Sequence, residues 1–63
     1  MITVTEYPHH GPARVWTAAD KAEFCRTIMR SRPMGTWEPD WGFKRFESYL
    51  RDNLQKLVIE EQQ

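Results

Sequence analysis

Cysteine is nearly absent from this 63-residue chain: Cys25 is the only one. An intramolecular disulfide is therefore excluded. Histidine is equally scarce, with only His9 and His10. A structural zinc site needs about four ligands in paired spacings, and these three residues do not supply them. Adjacent side chains in an extended segment point in opposite directions, so the two histidines read as loop residues. The longest apolar runs are two or three residues, far below the roughly 20 of a membrane helix. No glycine-rich phosphate loop, HExxH pair or Ser-His-Asp pattern occurs. Charge of one sign is lacking too. Nine Lys and Arg offset nine Asp and Glu, which gives no global drive toward nucleic acid or an anionic membrane. The first residues, MITVTEYPHHGP, lack the basic start and apolar core of a signal peptide. With a single thiol, this points to a reducing cytoplasm. These absences together predict a chain that is not an enzyme and binds no metal or cofactor.

What is present is aromatic mass and amphipathic patterning. Trp16, Trp37 and Trp41 are many for this length, and a domain so small needs large side chains or a partner to hold it together. Thr17 reads as a helix N-cap with Asp20 behind it. At 100° per residue, Ala18, Ala22, Phe24, Cys25, Ile28 and Met29 share one arc. This predicts a helix over about 18–31, ended by Pro33. Cys25 would lie on its apolar face as a buried, inert thiol. Pro39 suits a first helical position, and Asp40 suits the positive end of the helix dipole. Phe43, Phe46, Tyr49, Leu50, Leu54, Leu57 and Val58 then share a face, predicting a second helix over about 39–60.

The resulting expectation is an all-α fold. Residues 1–16 would be an extended N-terminal arm and residues 17–63 an αα-hairpin. The stretch ITVTEY is rich in β-branched residues, but it reads as an arm because no partner strand is evident. Helix 2 has more apolar surface than helix 1 covers, which predicts a homodimer with a four-helix arrangement. Its seam would use Phe43, Phe46, Leu50, Asn53, Leu54 and Leu57. Asn53 would either fix register inside the seam or sit half-solvated at its edge.

Two surfaces compete for function. The tryptophan-bearing connection, with Trp37, Trp41, Arg30, Arg32 and Arg45, has the aromatic and arginine content of an interface hot spot. Trp41 is the sharper case: on a regular helix it would fall on the polar side, about 160° from Phe43. Alternatively, Arg26, Arg30, Arg32, Lys44 and Arg45 would gather into a phosphate-contacting patch for nucleic acid. The overall neutrality and the nearby Glu38 and Asp40 weigh against that patch. In a third reading the exposed stripe completes a larger complex.

The run RVWTAADKAEF, followed by RPMGTWEPDWGF, resembles the short accessory proteins that lambda-like bacteriophages encode in the early region between their recombination and excision genes. The resemblance covers most of the chain and carries over no functional residue. It implies an α-helical, dimeric protein made early in infection and acting in the bacterial cytoplasm. That protein would influence host physiology or the lysis–lysogeny decision by contacting a host or phage protein.

Overall fold

The stretch ITVTEY is not an arm. In the structure, a computed structural model that describes residues 1–62, it forms strand β1 (Ile2–Tyr7) at the centre of a sheet. Its alternation fits the two-residue period of a strand: Ile2, Val4 and Glu6 are buried, while Tyr7 on the other face is exposed. Strand β2 (Arg14–Ala18) pairs antiparallel on one side, with Val4 opposite Trp16. Strand β3 (Lys56–Glu61) pairs antiparallel on the other, with Val4 opposite Ile59. The β1–β2 connection contains Gly11 at φ +98°, a left-handed conformation that favours glycine.

Helix α1 spans Lys21–Ser31 and is capped by Asp20, not Thr17. Asp20 Oδ1 accepts from the Glu23 backbone N–H at 2.8 Å, and Glu23 Oε1 reaches back to the Ala19 N–H at 3.0 Å. Thr17 lies inside β2, because β-branched residues suit a strand at least as well as a cap. Asp20→Ala should lower stability by about 1 kcal/mol, measured as a shifted urea midpoint at unchanged slope. Arg32, held extended by Pro33, ends the helix at φ −122° and ψ 140°.

Helix α2 spans Phe43–Asn53, with Gly42 as its N-cap. The expected start at Pro39 is displaced. Pro39 and Asp40 instead form a turn closed by the Trp41 N–H on the Glu38 carbonyl at 3.1 Å. A proline's fixed φ suits a turn as well as a first helical turn. The expected end near residue 60 is also displaced. Leu54 leaves the helix at φ −122° and ψ 157°, and the next residues enter β3. The run Leu57-Val58-Ile59 fits a buried strand and a helix face equally by periodicity alone. Pairing with β1 decides between them.

The expectation of an all-α αα-hairpin, with residues 1–16 as an arm, is therefore overturned. The fold is α+β, with a three-stranded antiparallel sheet in the order β2–β1–β3 and two helices on one face. The core comprises Ile2, Val4, Ala18, Phe24, Ile28, Phe46, Leu50 and Leu57. Trp16 stacks on Phe24 at 5.3 Å between ring centroids, and Phe24 meets Phe43 at 4.7 Å. The four-helix seam loses its residues to this core. Phe46, Leu50 and Leu57 are buried within the single chain, and Phe43 and Leu54 pack against them. Asn53 is exposed and donates to the Tyr49 carbonyl of its own helix at 2.8 Å. The apolar excess of the second helix was apparent only, because the sheet covers it.

Candidate interaction surface

The tryptophan-bearing connection is folded back on the protein. Trp37 is half-buried, and its Nε1–H donates to the Arg32 carbonyl at 3.0 Å, closing the loop after α1. Trp41 precedes α2, so no helical wheel applies to it. Its ring meets Phe46 edge-on at 5.2 Å and Tyr49 at 5.7 Å. The Arg45 guanidinium lies over it, 4.7 Å from the centroid. Trp41 is thus covered by side chains of α2 and half-buried. A shallow cleft of about 110 Å³ remains beside it, lined by Trp41, Arg45, Ser48, Tyr49 and Asp52.

The arginines do not act as one patch. Arg32 turns toward Glu6, with Nη2 at 3.3 Å from Oε1, and Nη1 donates to Ser31 Oγ at 2.9 Å. Arg45 is taken up by Trp41. Arg30 reaches Thr27 Oγ1 at 3.4 Å. Arg26 and Lys44 are exposed. An arginine paired with a carboxylate has already spent much of its field, which weakens the phosphate-binding reading.

Sequence reasoning missed Glu6, the one buried charged residue among those described. Its Oε2 accepts from Trp16 Nε1–H and its Oε1 from Arg32. Both oxygens being engaged, the carboxylate acts as a tie between β1, β2 and the end of α1. Two adjoining clefts of about 180 and 160 Å³ flank it, both lined by Glu6, Arg14 and Arg32. The inward parity of Glu6 would have flagged it, had ITVTEY been read as a strand. Cys25 is half-buried, and burial pushes its thiol pKa up, partly opposed by Arg26. That environment gives it no thiolate advantage.

The sheet presents its remaining features on the side away from the helices and at its edges. Thr3, Thr5, Tyr7, Val15, Thr17 and Val58 share the face without helices, as their register requires. Val15 is 67% exposed. A solvated, threonine-rich face is ordinary for an antiparallel sheet; the edges are less so. Met1 and Gln62 exchange both backbone hydrogen bonds, at 2.7 and 2.8 Å. Hydrogen-bonded pairs alternate along an antiparallel ladder. The odd-numbered residues of β1 therefore bond to β3 and the even-numbered ones to β2. It follows that Leu57 and Ile59 of β3, and Val15 and Thr17 of β2, direct their backbone groups outward.

The two edges are treated differently. On β3, Arg51 Nη1 donates to the outward Leu57 carbonyl at 2.9 Å, and Glu47 holds that arginine at 2.8 Å. The outward Ile59 groups have no partner among the described residues, but Lys56, Glu60 and Glu61 put charge along the strand. Charged side chains and covering groups are how edge strands are kept from pairing. On β2, the Glu23 carboxylate occupies the Ala19 N–H just beyond the strand. The outward groups of Val15 and Thr17 have no partner among the described residues. Apart from Arg14, β2 has no charge and no proline.

Among the described residues, no helix is long and apolar enough to cross a membrane. Comparisons with protein-family models, curated proteins and solved structures return no match.

Proposed function

We propose that this is a small non-enzymatic accessory protein that works through protein–protein contacts, with the β2 edge as its docking strand. The unpartnered backbone of Val15 and Thr17 on an uncharged stretch, set against the charged and partly covered β3 edge, is the observation that supports this reading. Main-chain groups on an exposed edge supply affinity for an added strand, and alternating side chains supply selectivity. Exposed Val15 and half-buried Trp16 lie on opposite faces of β2 and would meet the partner's alternate side chains. The bacterial cytoplasm, early expression and an effect on host physiology or the lysis–lysogeny decision are carried by the phage resemblance alone.

Affinity capture on immobilised protein, from bacterial lysate supplemented with a second, differently tagged copy of the chain, tests the reading. At least one protein should be retained by the wild type and lost with Thr17→Lys, which places a charge on the edge. Capture indifferent to Thr17→Lys, alongside duplex DNA binding that weakens as salt rises, would replace this reading with nucleic-acid binding.

A further inference from the structure

Resting on the reading of β2 as a docking strand, we infer that its occupant is a second copy of this chain. The two β2 strands would pair antiparallel across a two-fold axis into one six-stranded sheet.

Several features of the strand favour a copy of itself. An isologous interface must be self-complementary. The sequence Val15-Trp16-Thr17-Ala18 is uncharged, so two copies meet without like-charge opposition. The chain as a whole has no net charge to hold copies apart. In the register centred on Trp16, Val15 lies opposite Thr17 of the second copy, and Thr17 opposite its Val15. Those two pairs use all four outward backbone groups of each β2, and four new hydrogen bonds result. Arg14 falls opposite Ala18, so no arginine faces another.

The side chains fit the same register. Trp16 is half-buried at the rim, stacked on Phe24 on its inner side. Across the axis it meets the second copy's Trp16 in a non-hydrogen-bonded pair, the closer of the two antiparallel spacings. Cross-strand aromatic pairs are favourable there. On the opposite face Val15 packs beside Thr17. The β3 edge is less suited, since Arg51 occupies the Leu57 carbonyl and Lys56, Glu60 and Glu61 put charge on the strand. Pairing of β2 with β2 about a two-fold axis uses the same edge in both copies, which closes the assembly at two. A chain of this size, lacking a disulfide, gains from such a staple.

Sedimentation at about 100 µM, a concentration well above a micromolar dissociation constant, should find a dimer. Val15→Lys and Thr17→Pro should each weaken it by about tenfold or more while leaving the far-UV circular dichroism unchanged. The side chain of Val15 is exposed, and the Thr17 N–H points away from β1, so neither change removes a bond within the chain. Amide exchange supplies a readout independent of these variants. The Val15 and Thr17 N–H groups should gain protection as concentration rises, while Trp16 N–H, bonded to β1, is protected throughout. A wild-type monomer with freely exchanging Val15 and Thr17 amides overturns the inference, as does a dimer indifferent to both substitutions. If the monomer still captures another protein in a Thr17-dependent way, the docking strand stands and only the second copy fails. If capture is also indifferent to Thr17, both fail.

Discussion

Phe24→Ala is expected to remove a third or more of the stability of this protein. Phe24 is fully buried. Its ring stacks on Trp16 from β2 and meets Phe43 from α2, so one side chain joins the sheet to both helices. Truncating a buried phenylalanine costs about 3–5 kcal/mol from lost transfer energy and the cavity left behind. A chain of this length has roughly 3–9 kcal/mol of total stability at 0.05–0.15 kcal/mol per residue. The substitution therefore removes a third or more of the whole. Urea unfolding followed by far-UV circular dichroism should show the loss, with Met34→Ala as a control. Met34 is 83% exposed, and its truncation should stay within about 0.5 kcal/mol of wild type. A Phe24→Ala midpoint close to wild type would mean that the ring does not join the layers as described.

Glu6→Ala is expected to cost about 2–3 kcal/mol, large for a change at a polar residue. The cost comes less from the lost attraction than from what remains. Trp16 Nε1–H loses its acceptor in a half-buried position, and Arg32 loses its carboxylate. The Arg32 side chain is 27% exposed and can turn toward water, which lowers the cost below that of a sealed ion pair. Glu6→Gln keeps an acceptor for the indole and should cost less. Replacing both partners, as Glu6→Met with Arg32→Met, should recover much of the loss, because no charge is then left without its counterpart. The order Glu6→Ala below Glu6→Gln, with the double variant recovering, is readable from urea midpoints. The Trp16 indole proton should shift upfield in Glu6→Ala, where its hydrogen bond to the carboxylate is gone. Equal midpoints for all variants would show Glu6 to be a passive solvent-facing residue.

The helical half of the fold was legible locally. Residues 21–31 carry an apolar arc wide enough to name a helix, and Pro33 stops it as expected. The stretch from Phe43 to Asn53 reads the same way. The strands were not legible as a set, because each depends on residues far away in the chain. ITVTEY shows β-branched composition, but a strand needs a neighbour, and its neighbours begin at Arg14 and Lys56. The run RVWTA was absorbed into a helix cap by Thr17. KLVIEE was absorbed into helix 2 because Leu54, Leu57 and Val58 also satisfy a helical spacing. The irregular connection HHGP between two β-prone runs was the local sign of a hairpin.

The candidate surface divides in the same way. Trp37 and Trp41 were visible as unusual residues, but the bond of Trp37 to the Arg32 carbonyl and the packing of Trp41 under Arg45 and against α2 were not. Arg32 was visible as a cation, but its carboxylate lies 26 residues away in sequence. The contrast between a charged, partly covered β3 edge and a β2 edge uncharged beyond Arg14 is recognisable only once the strands are placed. It arises from which backbone groups β1 uses, and from where α2 delivers Arg51.

By itself, then, the amino-acid sequence determined what this protein lacks: net charge, a disulfide, a paired set of metal ligands and a membrane-length apolar run. It also determined two amphipathic helical segments and an aromatic content large for the size. These are properties of composition and short-range spacing, which act within a few residues. Only the tertiary structure decided that Ile2–Tyr7 is a central strand, that the apolar face of α2 is spent on the sheet, and that Glu6 is buried beneath Trp16 and Arg32. Strand pairing and ion pairing join residues distant in the chain, and closing those loops is worthwhile only when the whole core forms at once.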